Sequence, residues 1–366
     1  MKIALVNPYP CSLRNSGGVE AVINSLHTEL NKMDIDAEVI SLSEGEASKY
    51  RNERLAMLAV LWNKLRKRTK EFDIIHAHAW SGGLLPFIKN KPKIMTAHGT
   101  TAGYLNRTWE TRPFKNKWYN RLITSNLEAV GFRNTDRITA VSESTKQEII
   151  ENHNVSEEKI TVVHHGVDLQ RIYRLGKEET EGLRNKLDHE HMLFFMGRLM
   201  IEKGLVDLIL AIAILQNDYD IQLVVAGEGA GEDFARKVAD RLGLQDKVLF
   251  IGEVDNLRKM KYLSVSDAFV FPSHSEAFGM VLLEAMACKT PIVATDVSSI
   301  PEVVGDCGVL VQPANPYALA KGISKILDDR KYADKLAGKG YERLIAKFTI
   351  DRMVNNYIKI YKEAVG

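Results

Sequence analysis

Two carboxylates separated by seven residues stand in Glu276-Ala277-Phe278-Gly279-Met280-Val281-Leu282-Leu283-Glu284, directly after the strand-like Phe271-Pro272-Ser273. If a helix begins between them, a loop carboxylate and a helix carboxylate can meet different hydroxyls of one extended ligand. On a regular helix their span is ~12 Å. Carboxylates accept hydrogen bonds from sugar and ribose hydroxyls, and Gly279 offers a bare amide where a helix start favours phosphate. As isolated glutamates the two would equally suit a surface.

Upstream, Gly197-Arg198-Leu199-Met200-Ile201-Glu202-Lys203-Gly204 follows a predicted strand and precedes an apolar helix. Arg and Lys five residues apart, at a strand's carboxyl end and a helix's positive end, suit a diphosphate that gains negative charge as it leaves. The guanidinium acts as a fork and the ammonium as a point charge. Nearer the amino terminus, Ser16-Gly17-Gly18-Val19-Glu20 opens a helix, and its paired glycines let backbone amides approach a phosphate or sugar. His98 ends the fourth strand in Met95-Thr96-Ala97-His98-Gly99, where open sheets place ligand contacts. Each pattern has a plain structural alternative: surface cations, a tight turn, a packing histidine.

Other patterns exclude chemistries. Gly227-Glu228-Gly229-Ala230-Gly231 follows a strand, but Glu232 stands where a dinucleotide fingerprint needs its third glycine. Asp34-Ile35-Asp36 precedes a strand instead of following one, so no essential metal is expected. His164-His165 lacks a further ligand at metal spacing and reads as packing or loop. Cys11, Cys288 and Cys307, odd in number and without C-x-x-C spacing, read as structural thiols in a reducing compartment.

Parallel sheets are needed to position these residues, and short β-branched runs do alternate with longer amphipathic stretches. Strands are expected at residues 2–6, 37–42, 74–76, 93–97, 137–141 and 160–164, forming one Rossmann-like domain. A second set, at 192–196, 222–226, 248–251, 268–271, 291–294 and 308–311, is separated by helices such as 205–215 and 280–287. The charged, poorly periodic residues 168–190 read as linker, with a hinge near 166–175. They divide an α/β chain into an acceptor domain, 1–167, and a donor domain, 168–347. An apolar stripe at Ile350, Met353, Val354, Tyr357, Ile358 and Tyr361 marks a helix within 348–366 that packs back on the first domain. Two domains are the ordinary division of 366 residues.

No run of eighteen apolar residues occurs, and the first strand meets Asn7 and Pro8 too early for a signal-peptide core. A soluble, cytoplasmic protein is expected. The net charge of +2 hides an asymmetry: from Lys49 to Arg121 the chain has sixteen Lys or Arg against four Asp or Glu. One cluster is Lys64, Arg66, Lys67, Arg68 and Lys70. The other is Arg107, Arg112, Lys115, Lys117 and Arg121, with Trp109, Phe114, Trp118 and Tyr119 among them. Basic residues interleaved with aromatics can seat a protein peripherally on an anionic membrane at its inner face, or bind an anionic acceptor. They equally suit a solvated helix face over core aromatics. No nucleic-acid partner is expected.

Taken in chain order, these residues resemble the retaining glycosyltransferases of family 4, which have the two-domain GT-B architecture. The family's glycine pair, T-x-H-G, G-R-x-x-x-x-K-G, G-x-G and P-S-x-x-E-x-F-G-x-x-x-x-E-A-M-A are matched at Gly17 and Gly18, His98 and Gly99, Arg198 and Lys203, Gly227 and Gly229, and Glu276 through Ala287. The resemblance covers nearly the whole chain and implies two Rossmann-like domains whose parallel sheets face a central cleft. It implies that Arg198 and Lys203 bind the leaving diphosphate, Glu284 the nucleotide ribose, and Glu276 with the amides of Phe278 and Gly279 the donor sugar. Ile251-Gly252-Glu253-Val254 would hold the base through backbone groups, and His98 would touch the transferred sugar.

The implied catalytic set is thus His98, Arg198, Lys203 and Glu276, and the implied donor-binding set Gly17, Gly18, Val254, Phe278, Gly279 and Glu284. The donor would be a nucleoside diphosphate sugar, UDP favoured over GDP or ADP, with no other cofactor. The acceptor would be a hydroxyl on a sugar, a lipid-linked molecule or a cell-surface glycan precursor. The family commonly lacks a carboxylate nucleophile, so the leaving phosphate oxygen would assist the incoming hydroxyl, and catalysis would be positioning and charge stabilisation. An epimerase, a phosphorylase or a silent partner subunit are the alternatives on the same architecture. Three departures stand out, one of them an Asp306-Cys307-Gly308 turn that looks shortened. Lys289 takes a place where the family often has Gly, costing ~1 kcal/mol if φ is positive, and His165 precedes Gly166-Val167-Asp168 where Asn is usual.

Overall fold

The structure, a computed structural model, describes residues 1–11, 18–50, 53–108, 123–184 and 189–366. It separates into two compact units, Met1–Gly166 with Ile350–Gly366, and Val167–Thr349.

Continuous apolar runs such as Ile3-Ala4-Leu5-Val6 form strands buried on both faces, as parallel sheets require. In the first unit these are β1 (Lys2–Asn7), β2 (Asp36–Ser41), β3 (Ile74–His78), β4 (Lys93–Ala97), β5 (Arg137–Ala140) and β6 (Ile160–Val162). They pair in parallel in the order β2-β1-β3-β4-β5-β6. In the second unit β7 (His191–Met196), β8 (Ile221–Ala226), β9 (Val248–Phe250), β10 (Ala268–Phe271), β11 (Ile292–Thr295) and β12 (Val309–Val311) lie as β12-β11-β10-β7-β8-β9, again all parallel. Strand order reverses between β1 and β3 in the first sheet and between β7 and β10 in the second. Open sheets bind ligands beside the carboxyl ends at such switch points.

Helices cover the sheets. Helix Leu205–Leu215, apolar nearly all round, buries Leu205, Leu208, Ile209, Ala211, Ile212 and Leu215 between the second sheet and helix Pro316–Asp328. Strand β3 runs two residues beyond the expected 74–76, which brings His78 level with Thr96 of β4. The histidines of Ile74-Ile75-His76-Ala77-His78 look like a polar strand end, yet both are buried: both ring nitrogens of His76 have side-chain partners, and His78 Nδ1 meets His98 while its Nε2 has no partner among the described residues.

Residues 168–190 are not a bare linker. Helix Lys177–Arg184 lies within them, and Ile172 and Leu175 are buried. Leu175 N–H donates to Ser264 Oγ at 3.0 Å, and Arg174 Nη1 donates to the carbonyls of Cys288 and Lys289 at 3.0 and 2.9 Å. Charge and weak periodicity concealed these anchors, each of which uses only one or two side chains. Val167 N–H donates to Phe348 O at 2.9 Å and Val167 bridges Thr349, so the two crossings fall at 166/167 and 349/350.

The terminal helix, Ile350–Val365, packs on β3 and helix Gly18–Lys32 and buries Ile350, Met353, Val354, Tyr357, Ile360 and Tyr361. Ile360 takes the buried place expected of Ile358, which is half-buried. Its two tyrosines reach a polar network inside the core. Tyr361 OH meets His76 Nδ1 at 2.7 Å, Tyr357 OH meets Thr96 Oγ1 at 3.2 Å, and His76 Nε2 meets Thr96 Oγ1 at 2.6 Å. Burial holds the His76 imidazole neutral, down at about 3.

Lys289 does adopt φ 51°, and its ammonium lies 4.5 Å over the Tyr341 ring, a cation–π contact worth about as much as the strain. Tyr361→Phe strands His76 Nδ1 in the core and should cost about 1–3 kcal/mol. Trp62 and Trp80 belong to the first unit and the other two tryptophans, Trp109 and Trp118, also precede residue 167 in the chain, so tryptophan fluorescence during urea unfolding reads this change. An unchanged midpoint would refute the role of the network.

Candidate active site

At the carboxyl end of the second sheet three loops meet backbone to backbone. Leu199 N–H donates to Glu228 O at 2.9 Å and Gly231 N–H to Leu199 O at 2.7 Å. A Cβ on Gly227 would overlap the carbonyl of Gly197, and one on Gly229 would overlap that of Leu199. The glycines of residues 227–231 therefore serve close packing against the loop after β7. On the other side Gly204, at φ 70°, lies against Pro272 O so closely that no side chain fits.

This locking brings together the ends of the two predicted motifs. Lys203 Nζ lies 2.6 Å from Glu276 Oε2, with the side chains 17% and 18% exposed. The loop after β10 is itself tied down. Ser273 Oγ donates to Ser275 O at 2.9 Å, His274 N–H to Glu202 O at 2.8 Å, and Ser299 Oγ to Glu276 O at 3.0 Å. His274 Nε2 also meets Asp207 Oδ2, at 2.5 Å. Gly279, at φ 91°, starts helix Met280–Ala287, and the ring of Phe278 is buried against Phe348, so position 278 has only its backbone to offer a ligand. One turn into that helix Glu284 is half-buried, its Oε1 2.5 Å from Lys259 Nζ. Val254 follows Gly252, at φ 67°, just before Asp255 caps helix Asn256–Val265. Arg198 is exposed, and its guanidinium makes no hydrogen bond or ion pair among the described residues.

In the first unit His98 is not a lone strand-end histidine. Its Nε2 lies 3.0 Å from His78 Nδ1 and its Nδ1 3.3 Å from His165 Nε2, with the rings stacked at 5.3 and 5.2 Å. Both nitrogens are engaged, so a hydrogen bond to a ligand requires His98 to release one partner, and His165 is the longer bond. Burial pushes His98 down to about 3; burial and the neighbouring imidazoles hold His78 and His165 well below the usual range. In a neutral row each shared contact needs one N–H and one lone pair, so the tautomers are coupled.

Beyond His98-Gly99, Thr101 donates through its backbone N–H and hydroxyl to Glu128 at 2.9 and 2.7 Å, and Thr100 Oγ1 donates to Glu148 at 2.8 Å. These buried carboxylates fix the start of helix Thr101–Thr108. Burial raises Glu128 to about 7. Gly18 opens helix Gly18–Lys32 with nothing within 4 Å of a Cβ, so packing does not demand glycine there. Gly17 lies outside the described residues.

Sequence reasoning missed Lys259, His78 and the Glu128 and Glu148 caps, and read His165 only as packing or loop. Only the His-Ala-His alternation of β3 carried a signal, two histidines on one strand face. The first basic cluster is also less free than its count suggests. Arg68 pairs with Glu38 and Glu71, and Lys64 with Glu46, whereas Arg66 and Lys67 are exposed. The side chains of the second cluster, from Arg107 to Arg121, lie outside the described residues.

The histidine row has a pH signature. Unfolded imidazoles titrate near ~6.5, whereas burial brings His76 and His98 down to about 3 and holds His78 and His165 well below the usual range. Between those values the unfolded chain binds protons that the folded chain does not. Stability present above the unfolded value is therefore lost as pH falls, by ~1.4 kcal/mol per pH unit for each such group. Glu128 opposes one of them, because its raised folded value makes its contribution fall as pH rises toward about 7. Tryptophan fluorescence should show a urea midpoint that drops steeply from pH 7 to 5.5, and a shallower dependence in His78→Gln. Equal slopes would contradict this account.

Comparison with known proteins follows the same division of the chain. The family described as "Glycosyltransferase Family 4" matches residues 16–171, and "Glycosyl transferases group 1" matches residues 177–343. An uncharacterized glycosyltransferase of Methanocaldococcus jannaschii is 28% identical over 305 residues, 81% of this chain and 76% of that protein. The D-inositol 3-phosphate glycosyltransferase of Corynebacterium glutamicum is 26% identical across 90% of this chain and 89% of its own length. Among solved structures, sucrose-phosphate synthase from Thermosynechococcus elongatus superposes with TM-score 0.83 at 20% identity, covering 99% of this chain and 98% of that one. Anabaena Alr3699/HepE in complex with UDP-glucose gives 0.78 at 21% identity, covering 99% and 100%. Among the described residues no helix is long and apolar enough to cross a membrane. With both halves matched in order and both sheets folded as in these enzymes, the chain belongs to the group 1, family 4 glycosyltransferases of GT-B fold.

Proposed function

We propose that this glycosyltransferase moves a sugar, with retention of anomeric configuration, from a nucleoside diphosphate sugar to a hydroxyl acceptor, with UDP as the carrier in preference to GDP or ADP. The observation that carries the reading is the charge arrangement at the β7/β10 switch point: an exposed Arg198, unpaired among the described residues, in the same loop as a lysine that neutralises a glutamate. Arg198 receives the diphosphate without giving up a partner. Lys203 exchanges Glu276 for a phosphate oxygen, and the freed carboxylate accepts sugar hydroxyls. That exchange keeps every half-buried charge compensated, which a one-sided loss would not.

In the reaction the bond from the anomeric carbon to the phosphate oxygen breaks and a bond to the acceptor oxygen forms on the same face. The acceptor's proton passes to the leaving phosphate oxygen. Arg198 and Lys203 stabilise the charge that develops there, work that needs no metal ion. Glu284 takes the ribose, the amides of Phe278 and Gly279 hold the sugar, and the backbone up to Val254 takes the base. Gly17 and Gly18 let the first loop approach the donor, and His98 contacts the transferred sugar. UDP is favoured because the Anabaena protein, of the same fold, binds UDP-glucose.

For the acceptor we propose a lipid-linked molecule, met where the protein sits peripherally on the inner membrane face. Leu55 and Phe87 are 60% and 63% exposed, and Phe87 packs on Trp62 at 5.6 Å. Leu55 and Trp62 share one side of helix Arg54–Arg66, which ends in the exposed cations Arg66 and Lys67. An apolar strip ending in basic residues suits an anionic bilayer.

Thermal melting with UDP, GDP, ADP and NAD tests the donor site. A ligand at ~100 times its dissociation constant should stabilise by about 2.7 kcal/mol, with UDP effective and the effect lost in Lys203→Ala. A shift with NAD alone would overturn the assignment. For the membrane, sedimentation with phosphatidylglycerol vesicles should fall several-fold in Phe87→Glu combined with Arg66→Glu and Lys67→Glu. Undiminished binding would sink this surface.

A further inference from the structure

Lys259 has no place in the motifs, yet it makes one of the two most enclosed lysine–glutamate pairs described here. Its ammonium lies 2.5 Å from Glu284 Oε1, and the two side chains are only 11% and 15% exposed. Glu284 Oε2 takes no hydrogen bond among the described residues. The helix that carries Lys259 begins immediately after Gly252 and Val254. Its cap, Asp255 Oδ1, accepts from Arg258 N–H at 2.7 Å, and Lys259 N–H donates to Asp255 O at 2.9 Å. One rigid turn thus joins the loop proposed for the base to the carboxylate proposed for the ribose.

A packing staple between helices needs no charges; apolar side chains of similar volume would serve as well or better. A carboxylate that must present one oxygen to a sugar hydroxyl does need its other oxygen held and its negative charge balanced while water is excluded. We propose that Lys259 is a positioning residue of the nucleotide site: by gripping Glu284 Oε1 it turns Oε2 toward the ribose hydroxyls, and so sets the preference for ribose over deoxyribose. This inference rests on the assignment of Glu284 to the ribose.

The test is isothermal titration of the full chain with whichever of UDP, GDP and ADP binds, and with the 2′-deoxy and 3′-deoxy forms of that nucleotide. Wild type should prefer the ribonucleotide to at least one deoxy form by about tenfold, the worth of one well-placed hydrogen bond. Lys259→Met should weaken the ribonucleotide about tenfold, leave that deoxy form nearly unchanged and so erase the preference. Lys259→Arg should restore most of it. Lys259→Gln, which keeps a polar tip, is read in the same way if the Met variant fails to fold.

Ribo and deoxy forms weakened equally by Lys259→Met would mean a structural staple and would overturn the proposal, as would wild-type binding of both. Glu284→Gln separates the two levels of the argument. If it leaves ribonucleotide binding intact, the ribose assignment itself is wrong. If it weakens ribonucleotide binding while the Lys259 variants stay silent, only the role of Lys259 is wrong.

Discussion

At position 204 the main chain passes so close to the carbonyl of Pro272 that a single added carbon atom has no room, and a similar closeness recurs at Gly227 and Gly229 on the other side of the same loop. The loop after β7 is held between two backbones at contacts that no side chain can relax. Replacing any of these glycines must shift main chain, which is costly in a packed interior. The reward for that rigidity is position: Lys203 at the end of one loop meets Glu276 in the next, across the point where strand order reverses. The rest of the second unit serves this contact. Its sheet supplies the switch point, helix Leu205–Leu215 anchors the loop from below, and Gly279 turns the chain into the helix that carries Glu284.

The two units share a device despite their different chemistry. In the second, Glu276 and Glu284 are each held by a lysine; in the first, His98 is held by two other imidazoles. Groups positioned by polar partners that can be exchanged one for another are preorganised without being left unsatisfied. Arg198 makes no ion pair among the described residues, in keeping with a group that meets a charged ligand first. Beneath the histidine row the terminal helix places two tyrosine hydroxyls on His76 and Thr96, so the far end of the chain supports the strand ends that carry His78 and His98.

Much of this was legible before any coordinates. All twelve strands were expected from β-branched runs, and helices Leu205–Leu215 and Met280–Ala287 had their expected bounds. Where the reading fell short, polar residues were the cause. Strand β3 extends past the expected 74–76 to His78, and residues 168–190 read as linker because their few anchors, Ile172, Arg174 and Leu175, are scattered among charges. The charge count of the basic cluster does not show that Lys64 and Arg68 have carboxylate partners on distant segments.

Features set by neighbours along the chain are written in the sequence: the period of each strand and helix, and the spacing of Arg198 from Lys203 and of Glu276 from Glu284. Those features are encoded at fixed short separations, because backbone geometry repeats every two or 3.6 residues. Tertiary structure alone decided which side chains share a site. Lys259 reaches Glu284 from 25 positions away, His165 reaches His98 from 67, and Tyr361 reaches His76 from 285. Such meetings are set by the order in which strands enter a sheet, and no local spacing encodes that order.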